Sequence, residues 1–405
     1  MKIVQINTTN KIGSTGKIMN DLDKVICNSG YQGYKVCAYT NDYEESNLFC
    51  TNSGDYHIPV KKDIAISRIT GLTGHRYKRS TKQIVQWIKS INPDIIHLHN
   101  IHGDWLELEV LFDYIKKANV PVVWTLHDCW AFTGRCSHFE MCGCEKWKTG
   151  CYKCTNKKVY PITYFFDFSK KLWKEKRELF SGLDCHIVVP SEWLGNYVKQ
   201  SFLNCYPVTV IHNGIDTSVY EYTERRSKYL KDCKKKVVLG VASSWSKRKG
   251  FDDFIKLSKM LDSDKYQIVM VGLNDKQMSQ IPKDIIGIKR TDSQRELVEL
   301  YSSSDVFVNP TYQDNYPTTN LESVSCGTLA ITYNTGGSPE SIVSSQYVVK
   351  QGDVDELCRV IQSVCKNKPY TNEFLQNYGK NHFDKDTTFQ QYITLYEEIL
   401  RGSNR

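Results

Sequence analysis

Short apolar runs alternate with stretches of helical periodicity along the first half of the chain. Five such runs occupy residues 2–6, 34–39, 94–98, 120–126 and 185–189. Runs of this length that are separated by helix-length segments predict βαβ units. Nearly continuous apolar strands joined by helices are typical of a parallel sheet that is covered on both faces.

The second half repeats this pattern, with predicted strands at residues 237–241, 267–271, 306–309 and 328–332. We therefore predict an α/β protein with two Rossmann-like, doubly wound domains facing across a cleft. A charged stretch at 212–236 predicts the linker. The expected limits are 1–215 for the first domain, 216–384 for the second, and 385–405 for an amphipathic terminal helix that packs back on the first.

Composition narrows the class of protein. The chain has 405 residues, 40% of them apolar, and no run near the roughly 20 apolar residues of a membrane helix. Its first residues read as a strand and not as a secretory signal, which predicts a cytoplasmic protein. The net charge of +8 suits acidic partners such as diphosphate-linked sugars or the inner membrane surface. Without an RNA-binding motif of basic and aromatic residues, we expect no nucleic acid partner.

The most informative segment follows the predicted strand at 306–309 and opens a helix at Pro317. Amide groups at such a helix start bind phosphate, and Thr318 and Thr319 add hydroxyl donors. Glu322, one turn further, is placed to accept hydrogen bonds from ribose, and Asp314 is placed to hold sugar hydroxyls. The alternative is that Asp314 is an ordinary loop acid and Glu322 only complements the helix dipole.

A second candidate segment is the basic loop at 243–250, which also follows a predicted strand. Arg248 and Lys249 can neutralise the charge that develops on a departing nucleoside diphosphate. Most basic runs of this kind are solvated turns without a ligand, and that reading stays open for this loop taken alone.

Together these segments resemble the family 4 glycosyltransferases. The resemblance rests on an acid separated by seven residues from a glutamate, here Asp314 and Glu322, followed by the 326–328 Cys-Gly-Thr turn and the 336–340 Gly-Gly-Ser-Pro-Glu loop. Lys249 matches the family lysine. The first acid is Asp where the family usually has Glu, and Ser243 stands where it often has Arg, so Arg248 is expected to substitute. The resemblance spans nearly the whole chain and is strongest toward enzymes of bacterial exopolysaccharide synthesis of the colanic acid type.

The resemblance implies a retaining hexosyltransferase of the GT-B fold that uses a UDP- or GDP-sugar, a saccharide acceptor and no catalytic metal. The net charge of +8 is compatible with an acceptor that is lipid-linked at the inner membrane face. It implies catalytic roles for Asp314, Glu322 and His127, the last matching a family histidine that contacts the donor sugar. The expected donor-binding residues are Gly16, Arg248, Lys249, Asn315, Tyr316, Pro317, Thr318, Thr319 and Glu322. The alternatives are a sugar-nucleotide epimerase and a non-catalytic nucleotide-sugar binding protein of the same architecture.

In the first half, the glycine turn at 13–17 lacks the spacing of a Walker phosphate loop, which argues against a kinase or ATPase. The resemblance places this turn beside the cleft. Several histidines follow predicted strands, and His99 and His102 are predicted on the acceptor side. A buried, hydrogen-bonded histidine is the ordinary alternative for each.

Five of the fifteen cysteines fall between residues 136 and 154, and this insertion is absent from typical family 4 enzymes. A Cys-x-x-Cys pair with two upstream thiolates predicts a structural zinc site. The predicted ligands are Cys136, Cys144, Cys151 and Cys154, with Cys142 or His138 as substitutes. An iron–sulfur cluster would accept the same thiolates, and unliganded thiols are the third possibility.

Overall fold

The structure is a computed structural model that describes residues 1–51, 60–158 and 160–403. Its strands are β1 Lys2–Ile6, β2 Thr9–Asn10, β3 Gln32–Cys37, β4 Tyr39–Thr40, β5 Leu48–Cys50, β6 Ile95–Leu98, β7 Val122–Thr125, β8 Cys185–Val189, β9 Val208–Val210, β10 Lys236–Val241, β11 Tyr266–Val271, β12 Ile285–Ile288, β13 Val306–Asn309, β14 Ala330–Tyr333 and β15 Val348–Val349. Its helices are α1 Gly13–Asn28, α2 Val60–Thr70, α3 Lys78–Ile91, α4 Leu108–Ala118, α5 Ser169–Phe180, α6 Glu192–Lys199, α7 Phe251–Met260, α8 Asp275–Met278, α9 Gln294–Ser302, α10 Thr318–Ser325, α11 Val354–Asn367, α12 Asn372–His382 and α13 Lys385–Ser403.

The chain divides into two compact units. Unit 1 comprises residues 1–212 and 389–405, and unit 2 comprises residues 213–388. Each unit has its own parallel sheet and its own hydrophobic core. The predicted α/β class with two Rossmann-like halves is therefore confirmed.

Unit 1 is built on a seven-stranded parallel sheet in the order β5-β3-β1-β6-β7-β8-β9. The chain winds outward from β1 in one direction and returns to β6 on its other side, so the topological switch point lies between β1 and β6. Ligands of open α/β sheets bind at the carboxyl ends of the strands at this point. The loops after Ile6 and Leu98 therefore occupy the candidate ligand edge of unit 1.

Unit 2 is built on a six-stranded parallel sheet in the order β12-β11-β10-β13-β14-β15. Its switch point lies between β10 and β13, which pair directly through Val238 and Val306. The basic loop follows β10, and the segment that opens α10 follows β13. Both candidate donor segments therefore leave the sheet at the position where this topology favours a ligand.

The segment predicted as a linker is packed into unit 2. Apart from a single helical turn at Lys228–Leu230, residues 213–235 have no helix or strand. Tyr220 is 7% exposed and Leu230 is fully buried in the core of unit 2. The charged composition of the stretch predicted a linker, but these two apolar side chains anchor it in the core of unit 2.

The terminal helix α13 packs its apolar face on unit 1. Phe389, Tyr392, Ile393 and Tyr396 are each at most 2% exposed and share a core with β1, β6 and α1. Tyr31 on the first half of the chain donates a hydrogen bond to Glu397 at 2.7 Å. Among the described residues no helix is both long and apolar enough to cross a bilayer.

Candidate active site

Helix α10 begins without a cap from the side chain of its N-cap residue. Pro317 occupies the N-cap position and makes no side-chain cap hydrogen bond. The sequence analysis predicted this proline within the first turn of the helix, whereas it occupies the position immediately before the helix. Thr318 and Thr319 are half-buried and begin the helix, so their amide groups stand at its positive end without intrahelical acceptors. This is the arrangement that binds phosphate.

The basic turn at Lys247–Lys249 is fastened to the loop that leads into α10. The guanidinium of Arg248 donates to the carbonyl of Gln313 at 2.7 Å, and the Arg248 carbonyl accepts from the amide of Tyr312 at 2.7 Å. Lys249 forms an ion pair with Asp314, and both side chains are about one-fifth exposed, at 20% and 18%. Two cationic side chains and one predicted catalytic acid therefore belong to one rigid assembly.

Two glycines let the backbones in this assembly approach each other. Gly250, at φ +76°, ends the basic turn, and a Cβ there would lie 2.2 Å from the carbonyl oxygen of Pro310. Gly336, at φ +55°, would place a Cβ 1.8 Å from the carbonyl oxygen of Asp314. The next amide, of Gly337, donates to that same oxygen at 3.2 Å. The glycine loop of the family resemblance thus supports the segment that carries Asp314.

Glu322 lies one turn into α10 and is held by two tyrosines. The hydroxyl of Tyr301 donates to Oε2 at 3.1 Å, and Tyr220 also makes a side-chain hydrogen bond to Glu322. Burial, followed by the carboxylate's charge, raises the pKa of Tyr220 and of Tyr301. Both phenols therefore stay protonated and act as donors that fix the carboxylate's orientation.

Asn315 and Tyr316, which were also predicted to bind the donor, have buried side chains. They are 6% and 5% exposed, and burial raises the pKa of Tyr316 beyond its usual range. What these two residues present at the site is backbone.

In unit 1, Gly16 lies in the first turn of α1 and not in a separate glycine loop. A Cβ at Gly16 would stand 2.8 Å from Oγ1 of Thr9 and 3.1 Å from its carbonyl oxygen. The Gly16 carbonyl accepts from the amide of Lys11 at 3.1 Å. The glycine thus allows α1 to start directly beneath the loop that leaves β1.

Three histidines of unit 1 lie on neighbouring strands and stack in a row. The ring of His99 is 4.0 Å from that of His97 and 5.4 Å from that of His127, measured between centroids. Burial lowers the pKa of His127 from 6.5 to about 4 and holds the pKa of His97 and His99 well below the usual value. All three imidazoles are therefore neutral at physiological pH.

Hydrogen bonds assign the tautomers of two of them. The amide nitrogen of Gln5 donates to the carbonyl of Met19, so its oxygen faces Nε2 of His99 at 3.2 Å. That oxygen can only accept, so His99 carries its proton on Nε2 and accepts on Nδ1. Nδ1 of His99 lies 3.1 Å from Nε2 of His127, which must therefore donate. Neutral His127 has its lone pair on Nδ1.

His97 is fixed from the other side by the terminal helix. Its Nδ1 lies 2.6 Å from the hydroxyl of Tyr396, and its Nε2 lies 2.8 Å from Oγ1 of Thr125. Thr125 in turn donates to the hydroxyl of Tyr392 at 3.2 Å. The predicted amphipathic helix thus contributes polar as well as apolar contacts to this row of histidines.

His102 has a different environment from the other predicted histidines. Its Nε2 is paired with Oδ2 of Asp128 at 3.0 Å, and its Nδ1 lies 3.3 Å from the hydroxyl of Tyr160. Burial of Asp128 would raise its pKa, but His102 and a backbone hydrogen bond from Trp130 outweigh this and lower it to about 2. Asp128 stays ionised, and His102 is only partly buried.

The cysteine insertion brings its thiols close together. The Cys136 thiol hydrogen-bonds to Cys154 and thereby lowers the pKa of Cys154 to about 6. Burial raises the pKa of Cys151 to about 11, and the charges of Cys144 and Cys154 also act on it. Within 1–51, 60–158 and 160–403, no three His, Cys, Asp or Glu side chains are arranged as ligands of one metal ion.

Several residues of the site escaped the sequence analysis. Tyr220 and Tyr301 hold Glu322, Gln5 sets the tautomer of His99, and Asp128 and Tyr160 flank His102. None of them belongs to a sequence motif, and the largest separation, between Tyr220 and Glu322, is 102 positions. Only Asp128 had a signal, because it follows His127 at the end of a predicted strand.

Known proteins resemble the chain along both units. A family model described as Glycosyltransferase Family 4 matches residues 30–219, and one described as Glycosyl transferases group 1 matches residues 221–382. The putative colanic acid biosynthesis glycosyl transferase WcaC of Escherichia coli (strain K12) is 25% identical over 421 residues, which covers 98% of this chain and 100% of WcaC.

Two further comparisons bear on the site. The N,N'-diacetylbacillosaminyl-diphospho-undecaprenol alpha-1,3-N-acetylgalactosaminyltransferase of Campylobacter jejuni is 25% identical over 45% of this chain and 51% of that protein. The crystal structure of Anabaena HepE in complex with UDP superimposes with a TM-score of 0.65 at 14% identity and covers 98% of this chain and 100% of HepE. Glycosyltransferase family models match the two halves in succession and a solved GT-B structure matches the full length, so the chain is a glycosyltransferase of the GT-B fold that is similar to family 4.

Proposed function

We propose that this glycosyltransferase moves a hexose-type sugar, with retention of configuration, from a UDP- or GDP-sugar to a saccharide acceptor during synthesis of a bacterial surface polysaccharide such as a capsule. The observation that carries the proposal is the joining of a basic turn to an uncapped helix start at the switch point of unit 2. The name of WcaC supports the polysaccharide, and the UDP bound to HepE supports the donor class.

The diphosphate of the donor is assigned to the start of α10. The amides of Thr318 and Thr319 donate to it, and the partial positive charge of the helix end adds to the attraction. Lys249 supplies a full charge. Arg248, anchored through one of its five N–H groups to Gln313, takes the place of the arginine that the family often has where this chain has Ser243.

The two acids are assigned to the two ends of the donor. Glu322, oriented by Tyr220 and Tyr301, accepts hydrogen bonds from the ribose hydroxyls. Asp314, next to the diphosphate site, accepts from hydroxyls of the transferred sugar. Gly16 and His127 of unit 1 are also assigned to the donor. His102 with Asp128 is assigned to the acceptor side.

The reaction proposed is a substitution at the anomeric carbon. The bond from that carbon to the diphosphate oxygen breaks, and a new bond to the acceptor oxygen forms on the same face of the sugar. The proton of the acceptor hydroxyl passes to the departing phosphate oxygen. Lys249, Arg248 and the α10 amides stabilise the charge that develops on the diphosphate, so we expect no catalytic metal.

The acceptor is proposed to be lipid-linked, with the enzyme in the cytoplasm and in peripheral contact with the inner face of the membrane. The Campylobacter relative's name includes diphospho-undecaprenol, which supports this class of acceptor. We retain the predicted limits of 1–215, 216–384 and 385–405 as a proposal for the acceptor domain, the donor domain and the terminal helix.

A structural zinc ion is proposed for the cysteine insertion. The thiols fit such an ion in chemistry, because Cys136 is hydrogen-bonded to Cys154 and Cys151 accepts from the amide of Gly134 at 3.1 Å. Such N–H···S hydrogen bonds stabilise thiolates. Cys136, Cys144, Cys151 and Cys154 would hold the ion, whose role would be to cross-link the insertion.

Elemental analysis of protein purified anaerobically and without chelators tests the zinc proposal. One zinc per chain is expected, with loss of the metal in Cys154→Ser and retention in Cys27→Ser, an exposed thiol outside the insertion. Iron and sulfide found in place of zinc would indicate an iron–sulfur cluster. Metal-free protein would leave these residues as ordinary thiols.

Transfer assays with labelled UDP- and GDP-sugars test the function. The wild type should release nucleoside diphosphate only when a saccharide acceptor is present, and NMR of the product should show the donor's anomeric configuration. Glu322→Ala should abolish transfer, whereas Glu373→Ala, at an exposed position of unit 2, should not. Conversion of the donor without an acceptor would indicate an epimerase, and binding without turnover a binding protein.

A further inference from the structure

We infer that an exposed aromatic segment of unit 1 docks on the surface of a bilayer that contains anionic phospholipid. Four of the twelve large apolar side chains that stand exposed in the described residues fall within seven consecutive positions. They are Tyr160 at 54%, Tyr164 at 60%, Phe165 at 71% and Phe166 at 54% exposure. With Ile69, 43% exposed, they form what we call the aromatic edge. This inference rests on the proposed function only for the identity of the acceptor.

The aromatic edge has a fixed backbone. The amides of Tyr164 and Phe166 donate to the carbonyls of Arg68 and Ile69 at 2.8 and 3.4 Å, at the end of α2. Thr163, only 2% exposed, donates to the carbonyl of Phe166 at 3.1 Å. The rings are therefore held outward by a clamped segment. Contiguous exposed apolar surface of this kind marks an interaction site.

Charges around the aromatic edge favour an anionic partner. Arg68, Lys158 and Lys170 are exposed and lie on α2, in the segment before the rings, and at the start of α5. The adjacent Lys171 is also exposed, but it pairs with Glu175 at 3.6 Å. The nearby acid Asp167 accepts from the amides of Cys154 and Ser169 at 2.7 and 3.0 Å, so its charge is directed at backbone.

Tyrosine and phenylalanine beside lysines is the composition that proteins place at the boundary between lipid headgroups and acyl chains. A protein partner would also accept the rings, but the basic rim suits a surface of phosphate headgroups best. We therefore commit to the lipid surface as the occupant.

The aromatic edge adjoins a cavity that suits the head of a membrane-bound acceptor. The cavity measures about 230 Å³ and is lined by Thr8, Arg68, Asp104, Trp105, Tyr160 and Ile162. Tyr160 also contacts His102, with ring centroids 5.8 Å apart. A saccharide anchored in the bilayer could thus reach the acceptor-side histidine without leaving the membrane surface, with Arg68 near its phosphate.

Flotation of the full-length protein with vesicles tests the inference. The wild type should bind vesicles of phosphatidylcholine mixed with phosphatidylglycerol, and it should bind pure phosphatidylcholine more weakly. Replacing both Phe165 and Phe166 by Ser should weaken binding by about tenfold or more, since each ring contributes burial of a large apolar surface. Phe374→Ser, at an apolar position of unit 2 that is 46% exposed, should bind as the wild type does.

A second measurement tests the inference even if the double serine variant fails to fold. In Phe165→Trp, the added indole fluorescence should shift to shorter wavelength with anionic vesicles and should be quenched by brominated acyl chains. Wild-type protein that stays in solution, or a serine double variant that binds unchanged, would overturn the inference. So would self-association of the wild type, seen by sedimentation without vesicles and lost in the double variant. Neither measurement uses a sugar donor or a saccharide acceptor. A negative result would therefore contradict membrane docking without bearing on the transfer assay.

Discussion

Asp314→Asn should affect nucleotide binding and sugar transfer in opposite directions. The Asp314 carboxylate is paired with Lys249. The same lysine is assigned to the diphosphate, so the carboxylate competes for it and repels the phosphate charge. Asparagine keeps the shape of the side chain and removes both effects.

The size of the effect follows from the geometry of a lysine that bridges two anions. Two oxygens that accept from different N–H groups of one tetrahedral ammonium lie roughly 4.7 Å apart, and unit charges at that distance interact by about 1.8 kcal/mol at an effective dielectric constant of about 40. This intermediate constant suits side chains that are 18% and 20% exposed. Binding of the free nucleoside diphosphate should therefore tighten by about 20-fold, and the gain should shrink as salt is added.

Transfer should fall in the same variant. Asp314 is assigned to hydroxyls of the transferred sugar, and a hydrogen bond to a charged group contributes about 1.5–3 kcal/mol. The rate of transfer should drop by roughly 10- to 150-fold even though the product nucleotide binds more tightly.

Isothermal titration with nucleoside diphosphate, paired with transfer rates, measures both quantities. Lys249→Met should weaken nucleotide binding, and Asp355→Asn, an exposed acid in the first turn of α11, should change neither quantity. If Asp314→Asn weakens nucleotide binding as Lys249→Met does, the competition argument is refuted.

Three further outcomes are expected. Tyr301→Phe should raise KM for the donor by about fivefold, because it removes one neutral donor to Glu322 worth about 1 kcal/mol; an unchanged KM would remove Tyr301 from the positioning of that carboxylate. The free energy of unfolding should fall as the pH drops from 6.5 toward 4, because the unfolded chain protonates His127 in that window and the folded chain does not until about pH 4; this one group accounts for about 3 kcal/mol, and urea titrations should show a shallower pH slope in His127→Gln. Gly250→Ala should lower the melting temperature more than Gly30→Ala, since both have positive φ but only at Gly250 does the new methyl meet a carbonyl oxygen; equal losses would mean that backbone strain alone matters.

Central strands of each sheet could be predicted from the sequence, and edge strands could not. The predicted runs at 2–6, 185–189 and 306–309 coincide with β1, β8 and β13, because strands buried on both faces are almost continuously apolar. The edge strands β5, β9, β12 and β15 have two to four residues. Strands this short show no hydrophobic periodicity in the sequence. They become strands only through pairing with the neighbouring inner strand.

Residues of the candidate site fall into the same two groups. Lys249, Asp314 and Glu322 could be found because motif spacing and position after a strand mark them. Tyr301 is invisible to such an analysis, since its place beside Glu322 depends on how α9 packs on α10. Likewise, His99 was predicted on the acceptor side, whereas it is 1% exposed and lies between Gln5 and His127.

A crystal structure with the nucleoside diphosphate that gives the largest thermal shift tests the central claim most directly. We predict phosphate oxygens within hydrogen-bond distance of the amides of Thr318 and Thr319 and of the ammonium group of Lys249. A nucleotide bound elsewhere, with the start of α10 occupied only by solvent, would contradict the assignment of this helix as the donor site.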